Sequence, residues 1–214
     1  MSANLNEIIA NLGVVPGVVS RADGSLGAVR GGKTGEMLVS QAHSKYYEAA
    51  SRGKLFYSHV PTAAMSAPAT AAIGNIIWNP PTSGVLCVLT KWNIIYKVTD
   101  VDAMAIDLCY SVQATLPTTV TAATTGPCYL GAVGVSNSAC KAYAIGTITT
   151  AATPIFGMCK LEAAINTVGA QKLSGDFEGI FIAPPGYLFS LHSIVAAAAS
   201  GIGSTLIWEE VPII

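Results

Sequence analysis

"GIFIAPPGYLFSLHSIV" (Gly179–Val195) opens a charge-free run that continues to Trp208. A run of that length is long enough to cross a membrane as one helix. Pro184, Pro185 and Gly186 interrupt it, and His192 with several Gly and Ser residues divides the remainder into strand-length pieces. A spanning helix is therefore excluded. "GIFIA" (179–183) and "YLFSLHSIV" (187–195) instead read as two strands rich in β-branched and aromatic residues. Between them the Pro-Pro-Gly step reads as a tight hairpin connection, because proline presets one φ and glycine accepts a positive one.

The same period runs through the rest of the chain beyond Gly53. Strands are expected at "KLFYSHV" (54–60), "IGNIIWN" (73–79), "VLCVLTKWNIIYKV" (85–98) and "AMAIDLCYSVQA" (103–114). "PPTSG" (80–84) turns the chain between the second and third of these, and "MSAPATAA" is a loop. "CYLGAVGV" (128–135), "KAYAIGTITT" (141–150), "IFGMCKLEAAI" (155–165) and "STLIWEEV" (204–211) add further strands. The Thr-rich "TLPTTVTAATTG" (115–126) is too polar and too broken by proline for a central strand. Roughly ten short strands with Gly/Pro turns are the pattern of an antiparallel sandwich or barrel. The length beyond residue 55 suits the eight main strands of a jelly roll. A parallel β-helix needs a fixed repeat, which is absent. The expected fold class is all-β: an antiparallel jelly-roll sandwich (54–214) preceded by an extended basic arm (1–35) and one short helix (36–53).

The helix rests on "GEMLVSQAHSKYYEAASRG", which puts Leu38, Ala42, Tyr46 and Ala49 on one face. Glu48 and Arg52 form an i,i+4 pair, and Gly53 suits a C-terminal stop. Just before it, "GAVRGGKT" (Gly27–Thr34) satisfies the letters of a phosphate-binding loop. That loop needs a buried strand to deliver it and a parallel sheet to seat it. Here the preceding "SRADGSL" is charged and turn-like, and no βαβ alternation follows. A flexible basic arm accounts for the residues without a nucleotide, and Lys33→Ala should leave assembly unchanged with no ATP bound.

Composition narrows the function classes. Charged residues are 11% of the 214 and apolar residues 51%, against a usual charged share of about 25%. A lone monomer so poor in charge tends to associate. Net charge is −1, yet residues 21–54 carry +3 and residues 55–214 carry −3. A basic arm of this low density points to an acidic protein surface; nucleic acid would ask for denser Arg/Lys runs with interleaved aromatics. The start of the chain has no secretory signal pattern. Cys87, Cys109, Cys128, Cys140 and Cys159 lack paired metal spacing, and read as buried free thiols made in a reducing cytosol.

No catalytic constellation is expected. His43, His59 and His192 share no metal-binding spacing and read as packed, hydrogen-bonded residues. Glu209 and Glu210 are adjacent on a strand and so point to opposite faces. Asp100 and Asp102 lack the other ligands of a calcium loop. Catalytic, cofactor and metal sites are all expected to be absent. Trp78, Trp92, Trp208 and Tyr187 lie in strands, where they either fill the core or line an interface between subunits. "IVAAAASGIG" (194–203) is small enough for chains to approach around a symmetry axis, or for a thin strand pair.

Taken together, "GGKTGEMLVSQAHSKYYEAASRGKLF" (31–56), "IIWNPPTSGVLCVL" (76–89), "GIFIAPPGYLF" (179–189) and "IWEEVP" (207–212) resemble structural proteins of tailed-phage virions. In that family a trimeric jelly-roll body serves as capsid cement, decoration or a tail-associated part. The resemblance runs from about Gly31 to the end; no receptor-binding tip or enzymatic insertion is matched. It implies a non-enzymatic homotrimer in the virion, assembled in host cytoplasm, that contacts the major capsid protein or another virion protein and no membrane. The expected contact residues are Arg21, Arg30, Lys33, Trp78, Trp92, Tyr187 and Trp208. A tail or fibre protein that binds host glycans is the alternative the same fold allows.

Overall fold

A computed structural model describes residues 45–63, 65–96, 104–132, 137–161, 172–194 and 202–213. The arm, most of the expected helix, Asp100, Asp102 and residues 195–201 of the small-residue run lie outside these residues. Within them the chain forms one short helix, α1 (Tyr47–Ser51), and twelve strands. These are β1 (Leu55–Ala63), β2 (Ala71–Asn79), β3 (Val85–Tyr96), β4 (Met104–Val112), β5 (Thr118–Ala122) and β6 (Thr124–Pro127). They continue as β7 (Lys141–Thr147), β8 (Thr153–Leu161), β9 (Lys172–Asp176), β10 (Ile182–Ala183), β11 (Tyr187–Ser193) and β12 (Ile202–Pro212).

Helix α1 ends as its sequence dictates. Gly53 has φ +65°, its N–H donates to the Ala50 carbonyl, and the Lys54 N–H donates to Ala49. That is the Schellman pattern, which glycine adopts without a Cβ penalty. The Arg52 guanidinium meets Glu48 at 2.7 Å, one turn back.

All strand pairs are antiparallel. The first sheet runs β6-β1-β12-β3, with β9 and β10 both along the outer side of β3; the second runs β5-β7-β2-β11-β4-β8. Leaving out β5–β7 and β10, successive strands alternate between the sheets except for β4 and β8, which pair within the second, giving β1-β12-β3-β9 over β2-β11-β4-β8. This is jelly-roll connectivity. β5, β6 and β7 come from the segment between β4 and β8 and extend both sheets past β1 and β2.

The main core lies between the sheets, around Phe56, Leu89, Ile94, Leu108, Leu191 and Trp208. A polar clasp crosses it: buried Ser58 of β1 donates to Asn75 of β2 (2.7 Å), whose amide returns to the Ser58 carbonyl at 3.2 Å. A second core covers the outer face of the second sheet, where Ile76, Trp78, Cys109 and Leu188 meet Ile148 and Ala152. Residues 148–152 are held there by Ile148 N–H to Thr70 and by the Ser111 hydroxyl to Thr150 (2.7 Å). Buried Gln113 accepts from the Thr149 N–H at 2.8 Å. This cover explains why Ile76, Ile77 and Trp78 are all buried in succession: β2 has a dry surface on both sides.

Three expectations are corrected. Pro184–Gly186 forms a turn, with Tyr187 N–H donating to Pro184 at 3.2 Å and Gly186 at φ +84°. It is not a hairpin, since β10 belongs to the first sheet and β11 to the second. Within 128–132 the chain makes a 3-10 turn (Leu130–Ala132) rather than a strand, tied to the body by the Cys128 N–H on Leu55. The 179–183 strand shrinks to Ile182–Ala183. The Thr-rich stretch is non-central as expected, but it still pairs, as edge strands β5 and β6. No described helix is long and apolar enough to cross a membrane.

Candidate assembly surface

One end of the sandwich exposes an apolar groove. It is built where the β9–β10 connection crosses from β3 towards the edge of the second sheet. Three hydrogen bonds fix that connection to β3: Phe177 N–H to Thr90, Gly179 N–H to Leu89, and Leu89 N–H to Phe181. Glu178 (φ +54°) and Gly179 (φ +79°) make the reversal, and the Glu178 N–H donates to Asp176. Phe177 and Phe181 are thereby turned towards Phe156 of β8. The three rings contact edge to face, with centroids 5.4–5.9 Å apart, a favoured aromatic geometry.

Beside this cluster lies a cavity of about 260 Å³, lined by Tyr110, Ile155, Ile180, Ile182 and Tyr187 among others, and by no charged side chain. Its rim stands in water: Ile180 is 69% exposed and Ile182 50%, and Phe156 of the neighbouring cluster is exposed as well. Several exposed apolar residues that adjoin one another mark an interaction surface, where a scattered few would not. β8 borders the groove as the edge strand of the second sheet among the described residues. Pro154 stands near its start, and its register against β4 shifts twice. Both features blunt a strand as a template for pairing, so the surface offers side chains more than an open hydrogen-bonding edge.

The residues singled out from sequence are dispersed. Tyr187 lines the groove, and Trp92 meets Phe177 of the neighbouring aromatic cluster, at 6.5 Å between ring centroids. Trp78 is buried in the outer core of the second sheet, its indole N–H donating to the Gln113 carbonyl at 2.8 Å. Trp208 lies inside the chain's own core with none of its surface exposed. Arg21, Arg30 and Lys33 lie outside the described residues. Ile180, Ile182, Phe156 and Phe181 were missed; the available signal was the charge-free alternation of "GIFIA", which sets Ile180 and Ile182 on one side.

A second, polar groove of about 230 Å³ lies against the first sheet, lined by Lys91, Trp92, Asn93, Lys172 and Asp176 among others. The Lys91 ammonium stands over the Tyr46 ring, and Tyr46 donates to the Asp176 carboxylate at 2.7 Å.

His192 and Asp107 are buried ionisable groups outside both grooves. His192 is fully buried. Its Nδ1 lies 3.2 Å from the Ser66 carbonyl and its Nε2 2.9 Å from the Ser190 hydroxyl. A carbonyl only accepts, so Nδ1 carries the proton and Nε2 accepts from Ser190. Burial lowers the affinity of His192 for a second proton. Neither Ser190 nor His192 lines either groove. Among the described residues no set of three His, Cys, Asp or Glu side chains could hold a metal.

Asp107, in register with His192 across β4 and β11, is buried, and burial raises its pKa above the ordinary 3.8. The native state thus binds this proton more tightly than the unfolded chain does. Its contribution is favourable at low pH and is lost as pH rises through the raised pKa. Asp107→Asn should therefore stabilise the protein at pH 7, where the wild-type carboxylate is ionised against the cost of its burial. The gain should vanish below pH about 4; urea unfolding at both pH values checks this.

No family model matches the chain, and no curated protein matches it. A solved structure described as "KBV activated particle at acidic pH" is similar at 14% identity over 94% of this chain and 81% of that chain. The TM-score is 0.28, too low to support any inference about shared architecture or role.

Proposed function

We propose that the chain is a non-enzymatic virion structural protein, a trimeric jelly roll that acts as cement or decoration on a phage capsid. The observation that carries this reading is the exposed apolar groove around Ile180 and Ile182 in a chain where only 11% of residues are charged. Covering such a surface with sister copies removes it from water at about 25 cal/mol per Å², before the entropic cost of association. The basic residues Arg21, Arg30 and Lys33 then face acidic groups of the shell. Three arms on one trimer raise their effective concentration without new contacts.

The test is the double variant Ile180→Lys/Ile182→Lys, followed by mass photometry and by co-sedimentation with particles that lack the protein. Placing lysines in a desolvated apolar contact should weaken self-association by about 100-fold or more, with the circular dichroism spectrum unchanged. A variant that stays trimeric would remove the groove from the interface. A wild-type chain that is monomeric and does not bind particles would end the virion reading.

A second reading, a tail or fibre protein that binds host glycans, has one observation in its favour. The polar groove is lined by Trp92, Asn93 and Asp176 among others, and the Asn93 Oδ1 is buried without a hydrogen-bond partner. Glycan-array binding by the purified protein, lost on Trp92→Ala, would favour this reading over cement.

A further inference from the structure

We propose that Cys87 and Cys140 form an oxidisable dithiol. In a reducing compartment they stay free, and on exposure to a small-molecule disulfide they close into a bond that staples the β4–β8 insertion to the first sheet. All five cysteines lie in the described residues and are free thiols, and this pair is set apart by its surroundings. Cys87 is on β3, opposite Glu210 of β12 in the strand register. Cys140 immediately precedes β7, and its N–H donates to the same Glu210 carboxylate at 3.0 Å. The Ala139 N–H and the Ser138 hydroxyl also donate to Glu210, so one buried carboxylate fixes the backbone that carries Cys140 beside the strand that carries Cys87. Glu210 thus links the two cysteines, being paired with Cys87 across the strands and bonded to the Cys140 N–H, and both cysteines are buried members of the main core. Cys109 lies instead in the outer core of the second sheet, and Cys128 and Cys159 are only partly buried.

The exchange balances with glutathione disulfide as the oxidant class. Cys140, 3% exposed against 0% for Cys87, is the sulfur a small reagent reaches first. Its thiolate attacks one oxidant sulfur, forming a mixed disulfide and releasing one glutathione thiolate. The Cys87 thiolate then attacks the Cys140 sulfur and expels the second glutathione. Two protein thiols become one disulfide, the oxidant is reduced to two thiols, and the two thiol protons pass to the leaving groups. Contact with Cys87, burial and the neighbouring Glu210 all push the Cys140 pKa up. The attacking thiolate is therefore scarce in the closed protein, and reaction waits on local opening. Such gating suits a chain that must fold and assemble before it is locked. The bond would cross-link a loop holding β4, β5 and β6, and long loops gain most from closure.

The experiment uses the full chain, purified under reductant and then equilibrated with glutathione disulfide both at room temperature and a few degrees below its thermal midpoint. After denaturation, thiols are counted with a maleimide mass tag. The count should fall from five to three, with the intact mass lower by two hydrogens and a Cys87–Cys140 peptide in the digest. The thermal midpoint should rise by about 10 °C and return with dithiothreitol. Cys87→Ser and Cys140→Ser should each keep four thiols under the same oxidation, and Cys109→Ser should fall from four to two. Five thiols retained at both temperatures, or a cross-link between other cysteines, overturns the proposal; peptide mapping of the wild-type chain decides this even if a serine variant fails to fold. A monomer and a trimer give the same thiol count, so the result is independent of the virion reading.

Discussion

Trp208→Ala is expected to cost about 4 kcal/mol of folding stability, a large part of the 5–15 kcal/mol that separates folded from unfolded domains. Trp208 is paired in register with Phe56 of β1 on one side and Leu89 of β3 on the other. Its ring stacks on Phe56 at 6.0 Å with planes 27° apart, and its indole N–H donates to Glu210 at 3.4 Å. β12 is central to the first sheet, so the walls around a truncated side chain cannot collapse without moving strands hydrogen-bonded on both edges. Trp208→Phe keeps an aromatic ring and loses the indole N–H contact, and should retain more than half of the lost stability. Urea unfolding with an unchanged slope would assign both effects to the native core. A loss below about 1 kcal/mol for the alanine variant would mean the core is far more plastic than its burial implies.

The same side chain shows what could be read from sequence and what could not. The alternation of "STLIWEEV" gives a strand with Trp208 and Glu210 on one side and Glu209 on the other. Glu210 is indeed buried, while Glu209 is only half-buried. Alternation cannot say what a buried carboxylate binds: its donors, residues 138–140, are some seventy residues away and are brought there by the β4–β8 insertion. The outer core of the second sheet was hidden for the same reason. Ile76, Ile77 and Trp78 in succession signal a strand dry on both faces, but only the fold names Ile148 and Ala152 as the cover.

Turn chemistry was equally local in its reach. Pro184-Pro185-Gly186 specifies a sharp change of direction, and Gly186 supplies the positive φ. Whether the next strand pairs with the last or crosses to the facing sheet depends on where the free hydrogen-bonding edges lie. β11 finds β2 and β4, so the turn becomes a corner. β9 escaped notice because "KLSGD" is short, polar and without a dry face; β3 recruits it through backbone pairing from Lys91 to Ile95. Conversely "CYLGA" has the composition of a strand yet leaves Leu130 76% exposed in a 3-10 turn. The groove was the least legible part. Its members come from β4, β8, β10 and β11, and they adjoin only after the corner at 184–186 has been turned.

Gly74→Ala should be nearly as damaging as Trp208→Ala, with a loss of about 3–5 kcal/mol, although it adds only a methyl group. Gly74 lies in β2 at φ +147°, where the register against β7 shifts between Ile73 and Ile76. A Cβ built there falls 2.5 Å from the Leu191 carbonyl oxygen of β11. That neighbour is backbone, so no rotamer change relieves the overlap. β2 and β11, the central pair of the second sheet, must instead move apart. Gly84→Ala separates this clash from backbone preference. Gly84 also has positive φ (+68°), but a Cβ there meets nothing within 4 Å, so its cost should stay near 1 kcal/mol. β11 also carries Tyr187, Leu188 and Phe189 into the apolar groove. Gly74→Ala should therefore weaken self-association as well as stability, although the substitution lies outside the groove. Thermal unfolding of both variants, with mass photometry on the folded fraction, tests the coupling. Equal stabilities for the two alanine variants would mean that the bulge relaxes freely and that the close approach of β2 to β11 does not shape the groove.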